Sequence, residues 1–497
     1  MEERNVPFST VIVTTLALTL AASTLGEASS DTDMQPSLPA AMTAGAPTEQ
    51  PPQTPREAAE PVGRYINGTG VYLRDIASVK GKKLRILQRG DFVIVTGNEI
   101  NNEGIVWREV TVRTDKNIHL RGWVNEQYLV ETKEDALGIP SFLKTIDLSP
   151  FPKIKEHPNN PRVKTRGIYI TVYSATPKNI RRFFTLAESG MINTFVVDVK
   201  NVEGEILFKS KAAEKHFPAA NKRVIYKTTP PFIVEARQKG IYLIARMTAF
   251  KDNYYALAYP ERGIMVPGTN ELLRDRDKLV WVTPHDRHYW EYLVELALEA
   301  AEMGFQEIQF DYLRFPDLNV DMDTRNTLNE SRPQAIQNFL KYAYERLSKA
   351  GVYVAADIFG LVPSVADDMS IGQYWEAISN VVDYICPMMY PSHYASGFAG
   401  LAVPDADPYK TIRQSVSDAV RRNKRVPNPA IIRPWIQDFT AFWIKGHIPY
   451  GSKEVEDQIR ALRELGIDEY LVWNPRNVYS RIALSPTKSQ ETQQEKP

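Results

Sequence analysis

The chain has a single cysteine, Cys386, in 497 residues. That excludes an intramolecular disulfide and leaves a buried thiol, packed as a small hydrophobe, as the expectation. Histidine is scarce as well, seven in all and scattered. No H-E-x-x-H or similar zinc spacing occurs, and neither a metal nor a cofactor is expected. The absence of a G-x-S-x-G elbow argues against serine acyl transfer. Neither sign of charge dominates, since 60 Lys and Arg balance 60 Asp and Glu. No global field therefore draws in nucleic acid or an anionic membrane, and no nucleic-acid partner is expected. The uncharged run at the N-terminus, "VIVTTLALTLAAS" at residues 11 to 23, is 13 residues long, short of the roughly 20 that a membrane-spanning helix needs.

What is present falls into regions. In residues 1–28, Gly26 and Ala28 occupy the small-residue positions read by a signal peptidase, so a secretory signal peptide is expected. The n-region carries Glu2 and Glu3 against Arg4 alone, which keeps an uncleaved membrane anchor as the alternative. Both place the bulk of the protein outside the cytoplasm, secreted, periplasmic or associated with the cell envelope. Residues 29–60 are dominated by Pro, Thr, Ala and Ser and read as a disordered tether. Over 61–132, short alternating segments such as "IVWREVTV" and "RGWVNEQYL" are separated by Gly and Asn turns, which predicts a small all-β barrel. Their order resembles a bacterial SH3-like domain, and that resemblance implies a module targeting cell-wall peptide or glycan. The basic strip "KGKKLRILQR" (80 to 89) either faces an anionic wall polymer or is a solvated surface. Residues 481–497 are expected to be a disordered tail.

From residue 166 short apolar strands alternate with amphipathic helices, the pattern of βα units. The strands are "RGIYITV", "TFVVDVK", "IYLIARM", "EIQFDYL", "VYVAADIFG", "VVDYICPMMY", "AIIRPWIQDF" and "EYLVWNP". In the helix before "EIQFDYL", Leu293, Leu296, Ala300 and Met303 recur at helical spacing, and Gly304 supplies the stop. Eight strands fit an α/β fold of the (β/α)8 TIM-barrel type. An open doubly wound sheet is the alternative, but "ITVYSATPKN" offers no glycine-rich phosphate loop.

In such a barrel the C-terminal strand ends build the active site. Nearly every strand here turns polar at that end: Asp198 and Lys200, Arg246, Asp311 and Arg314, Asp357, Tyr390 and His393, Gln437 and Asp438, Trp473 and Asn474. Alternation sets Gln309 with Asp311, Ala355 with Asp357, and Val196 with Asp198 and Lys200. If these faces point inward, carboxylates converge on one cavity, an arrangement suited to glycoside hydrolysis with one carboxyl ionised and one protonated. Asp311 and Asp357 are expected to face each other across the barrel mouth. Asp198 and Lys200 either contact substrate or pair with each other. Trp473 stacks on a sugar or fills the barrel top, and His393 and Tyr390 bind hydroxyls or support the fold. Arg246 and Arg314 hold carboxylates ionised, with Arg314 expected to fold back onto Asp311, and Gln437 supports Asp438.

The motifs "GIYITVYSA", "VVDVKNVEGEI", "IARMTAFKD", "EIQFDYLRFP", "AADIFG", "DYICPMMYPSHY", "RPWIQDF" and "LVWNP", in that order over residues 163–480, closely resemble a bacterial family of glycoside hydrolase domains distantly related to α-amylase-like barrels. The resemblance implies a polysaccharide substrate. It also makes Asp311 similar to the nucleophile, Asp357 to the acid/base and Asp438 to the transition-state stabiliser. The acid/base in amylase-like barrels is normally a glutamate, and Asp357 is one methylene shorter. That departure supports the alternative reading, a non-catalytic glycan-binding envelope protein on the same scaffold.

Overall fold

The computed structural model describes residues 62–68, 71–113, 119–138, 140–318 and 320–481. The expected signal segment, the tether and all of the tail beyond Arg481 lie outside the described residues. The chain divides into two compact units, the boundary falling between Ser141 and Phe142.

In the first unit seven strands form one antiparallel sheet, a half-barrel. They are β1 (Val62–Ile66), β2 (Val71–Arg74), β3 (Lys83–Leu87), β4 (Phe92–Asn102), β5 (Ile105–Arg113), β6 (His119–Asn125) and β7 (Leu129–Val130), in the order β3-β2-β6-β5-β4-β1-β7. Period-two alternation sends Val110 and Val112 of β5 into a small core with Ile66, Leu73, Leu87, Val93 and Val124. The pairing of β4 with β5 slips between Val95 and Glu99, around Gly97 at φ +90°. A bulge of this kind bends a long strand and lets the sheet curl.

The second unit is a closed parallel barrel surrounded by helices. Its staves are β8 (Arg166–Ile170), β9 (Thr194–Lys200), β10 (Tyr242–Thr248), β11 (Glu307–Asp311), β12 (Tyr353–Phe359), β13 (Tyr384–Met388), a seventh stave in two pieces, β14 (Ile431–Ile432) and β15 (Trp435–Gln437), and β16 (Tyr470–Trp473). Each stave pairs in parallel with the next, and β16 returns to β8. The seventh is broken at Arg433-Pro434, because proline has no N–H to give to the ladder. The 17-residue helix Arg287–Met303 starts at an Asp286 cap, which accepts from the Tyr289 N–H at 2.8 Å. It ends at Gly304, φ 115°, the stop expected from the sequence.

Polar plugs close the N-terminal end of the barrel. Arg433 donates to Glu307 at 2.7 Å and to Glu469 at 3.1 Å, and its guanidinium lies 3.5 Å from the centre of the Tyr384 ring. Arg162, from the segment ahead of β8, pairs with Asp383 at 2.8 Å and covers Tyr353. Cys386 is buried inside the barrel, as expected. The opposite end carries the polar strand ends.

Candidate active site

Strand register decides which side chains share a layer. Asp198, Arg246, Gln309 and Ala355 lie side by side across β9 to β12. Two residues further along, on the same faces, come Asp311 and Asp357. Arg246 is the hub of this cluster. Its Nη1 donates to Asp198 Oδ1 at 2.5 Å, and its Nη2 and Nε (3.1 Å) donate to Asp311 Oδ2. The same Nε lies 3.9 Å from Asp357 Oδ2. Two carboxylates that approach one nitrogen atom this closely stand within about 7 Å of each other, inside the range that glycoside hydrolysis uses.

The surroundings of the two differ. Asp311 accepts from Arg246 on Oδ2 and from the Tyr312 N–H on Oδ1 at 2.5 Å. Tyr312 takes a positive φ of 48°, and the chain is tied to β10 there by Ala249 N–H donating to Asp311 O at 2.6 Å. Such backbone at a strand end is held in place by its surroundings. Asp357 is 1% exposed, accepts from the Trp435 indole at 2.7 Å through Oδ1, and has no hydrogen-bond partner on Oδ2 among the described residues. Burial pushes its pKa well above the ordinary aspartate value, and the Asp311 charge adds to the rise; Arg246 and Trp435 oppose it without cancelling it. Burial also raises Asp198, although Arg246 and the Tyr169 hydroxyl (2.6 Å) stabilise its charged form. For Arg246, burial lowers the pKa, but the charges of Asp198 and Asp311 more than reverse this and lift it well above its usual value.

On the β13–β16 side the site has an aromatic wall. Tyr390 stacks on Trp473, with ring centres 4.7 Å apart at 29°, and His393 meets Trp473 edge-on at 6.4 Å. Burial lowers His393 to about 4, so its imidazole is neutral at physiological pH, and Nδ1 is engaged with the Ser392 hydroxyl at 2.9 Å.

Several residues read from the strand ends lie elsewhere. Lys200 does not join Asp198. The β9–β10 pairing slips between Arg246 and Met247, so Lys200 sits opposite Met247 and turns away from the interior. It forms a fully buried ion pair with Asp252 at 2.9 Å. Arg314 does not reach Asp311 by a hydrogen bond. Its Nη1 donates to the Phe315 carbonyl at 3.0 Å, and the guanidinium lies among Phe359 (4.4 Å), Trp281 (4.9 Å) and Tyr312 (5.3 Å). Asp438 alternates with Gln437, whereas Trp435 and Gln437 share the inner face, so its carboxylate turns outward. Both of its oxygens accept from Ser480, at 2.7 Å, and no hydrogen bond or ion pair joins it to the Arg246 cluster among the described residues. Gln437 is spent on bracing, accepting from Ser392 N–H and donating to Asp405 and the Phe439 carbonyl, each at 3.0 Å. Asn474 holds the Asp438 and Val478 carbonyls. Tyr169 and Trp435 face inward ahead of the polar strand ends, so polarity at the strand ends did not mark them.

No group of His, Cys, Asp and Glu suited to a metal ion occurs among the described residues. The family described as "Putative glycosyl hydrolase domain" matches residues 167–479, and the chain belongs to it. No curated protein matches the chain. Among solved structures, a hypothetical protein from Ruminiclostridium thermocellum ATCC 27405 is 31% identical over 38% of this chain and 96% of its own, with a TM-score of 0.34. The glycoside hydrolase domain of PgaB (BpsB) from Bordetella bronchiseptica is 13% identical over 63% of this chain and 94% of its own, TM-score 0.45. A class V chitininase from Pseudomonas fluorescens Pf-5 is 12% identical over 62% and 94%, TM-score 0.37. Family membership supports a glycan-cleaving function.

Proposed function

We propose that this member of the glycosyl hydrolase family cleaves a glycosidic bond in a cell-envelope or extracellular polysaccharide by a two-carboxylate mechanism. The observation that carries the reading is the unequal treatment of two carboxylates sharing Arg246 Nε. Asp311 accepts from Arg246 and from the Tyr312 N–H, while Asp357 is buried, pushed toward its protonated form and without a hydrogen-bond partner at Oδ2 among the described residues. Asp357 then gives its proton to the leaving-group oxygen, and Asp311 supplies the electron pair at the anomeric carbon, directly or through a water. Trp473, half-buried and backed by the Tyr390 ring, offers its open face to the sugar, and His393 offers a neutral imidazole. Arg246 orients both carboxylates.

The half-barrel, read as a bacterial SH3-like module, brings the enzyme to cell-wall peptide or glycan. The N-terminal segment, read as a secretory signal or an uncleaved anchor, supports a location outside the cytoplasm, secreted, periplasmic or at the envelope. One observation favours a second reading, a glycan-binding protein without turnover. Asp357 is one methylene shorter than the glutamate of amylase-like barrels, and its side chain is 1% exposed, so a sugar reaches it only if Tyr390 or the loops above it move.

Release of reducing ends by the full chain from a panel of cell-wall and exopolysaccharides tests both. Hydrolysis that falls at least about 100-fold in both Asp311→Asn and Asp357→Asn is the expected result. Binding without hydrolysis would establish the second reading instead.

A further inference from the structure

The aromatic wall does not stop at the mouth of the barrel. Trp473 meets Phe439 at 5.3 Å, and Phe439 stacks on Trp443 at 6.0 Å and 22°. Trp443 is 47% exposed, and its neighbour Phe442 is 73% exposed. Ring contact is therefore continuous from Tyr390, beside the carboxylates, to open solvent. Adjacent large aromatics left in water mark an interaction surface.

The segment that holds them is braced. Gln437 donates to the Phe439 carbonyl, Tyr450 N–H to Thr440 Oγ1 at 3.0 Å, Ile444 N–H to the Ala441 carbonyl at 2.9 Å, and the Tyr450 hydroxyl to the Asp405 carbonyl at 3.0 Å. His447 packs edge-on against Phe442 at 5.5 Å. Rings fixed in this way lose little entropy when a flat ligand covers them.

We propose that Phe442 and Trp443 form a stacking platform for pyranose units of the same polysaccharide chain, beyond the bond that is cleaved. This rests on the hydrolase reading. The occupant follows from continuity, because the half-buried Trp473 and the exposed Trp443 flank the buried ring of Phe439, 5.3 and 6.0 Å from it, so a glycan leaving Trp473 meets Trp443 as the next open ring. The electron-rich face of an aromatic ring attracts the polarised C–H bonds of a sugar, and its area excludes water from the apolar side of the pyranose. The platform makes the substrate a polymer engaged over several units, not a terminal mono- or disaccharide.

The test compares the full chain, Asp311→Asn and the double variant Phe442→Ala/Trp443→Ala on insoluble chitin, peptidoglycan sacculi and amylose. Sedimentation gives retention, and reducing-end release gives kinetics. The double variant is expected to be retained about tenfold less well on the polymer that holds the wild type, with the loss expressed in KM and not in kcat. Asp311→Asn should be retained as well as wild type while releasing nothing. Unchanged retention and KM in the double variant overturn the platform and leave the hydrolase reading standing. Retention that needs the two aromatics, without hydrolysis by any form, upholds the platform and sinks the hydrolase reading. No retention of the wild type on any of the three overturns the platform. A change only in oligomeric state on gel filtration, or only in binding to phospholipid vesicles, assigns the aromatics to another partner and likewise overturns it.

Discussion

Burial raises the pKa of Asp357, the Asp311 charge raises it further, and Arg246 with the Trp435 N–H pulls the other way. The sign has two consequences. As the proton donor, Asp357 works only while protonated, so the rate falls as pH rises through its folded pKa, and that alkaline limb lies above the ordinary carboxylate range. Because the folded pKa exceeds the unfolded one, the associated stability is complete below the unfolded pKa and is lost as pH rises through the folded pKa. Asp311→Asn removes the second cause of the rise while leaving the burial. The Asp357 titration, followed by the 13C shift of its carboxyl, should therefore move to lower pH in that variant; an unmoved titration would show that the two carboxyls do not communicate. Asp311, Asp357, Asp198 and Arg246 were all legible as polar residues closing apolar strands. The identity of the arginine that binds Asp311 was not. Arg314 is near in sequence, but the left-handed turn at Tyr312 carries it into the ring cluster of Trp281, Tyr312 and Phe359, and Arg246 reaches across from the neighbouring strand.

Alternation works as long as a strand is regular, and the elements show where it stops. In β11 and β12 it placed Asp311 and Asp357 on the inner face. In β9 it placed Lys200 with Asp198, and the bulge opposite Arg246 undid that. In the seventh stave Asp438 was placed at the site by its strand-end position and by the family resemblance, although alternation with Trp435 as the inward reference would have sent it outward with Ile436. A bulge is a main-chain event with no signature in "TFVVDVK", whereas the inward Trp435 was available in "RPWIQDF". Its consequence at β9 is a buried ion pair, in which burial lowers the Lys200 pKa and Asp252 opposes that. Removing the cation leaves the Asp252 carboxylate with the Tyr289 hydroxyl at 2.8 Å and the Tyr255 N–H at 3.0 Å but no counter-charge. Lys200→Met should thus destabilise the barrel by about 3–5 kcal/mol in urea unfolding. A loss below about 1 kcal/mol, the size of an exposed pair, would mean that the pair is not buried in solution.

Each unit has its own core, the condition for folding alone. From the motifs, the barrel was read as starting at residue 163, where the family resemblance begins. The fold includes more. The segment from Phe142 onward belongs to the barrel unit and covers its N-terminal end. Lys153 donates to the Ser379 and Val382 carbonyls at 3.0 and 2.9 Å, Asn160 to the Gln306 and Gly351 carbonyls at 2.7 and 3.0 Å, and Arg162 pairs with the buried Asp383. None of this was visible in the sequence, because "FPKIKEHPNNPRVK" has no periodicity and its partners lie some 200 residues further on, a separation that pattern reading does not bridge. Two truncations separate the alternatives. A chain starting at Phe142 keeps these contacts and should melt as the barrel of the full protein does. A chain starting at Val163 exposes the rings of Tyr353 and Tyr384 and leaves Asp383 without its cation. Burial already raises the Asp383 pKa and Arg162 is among the groups that oppose the rise, so the loss of Arg162 raises it further. Breaking one side of such a pair costs about 3–5 kcal/mol, which for a barrel of this size lowers Tm by roughly 4–7 °C. The deficit should narrow in acid, where the unpaired Asp383 is protonated in both folded and unfolded states and its charge no longer has to be buried. Differential scanning calorimetry of the two truncations at neutral and acid pH reads both effects, and equal Tm values at neutral pH would show that the barrel closes its N-terminal end without the segment.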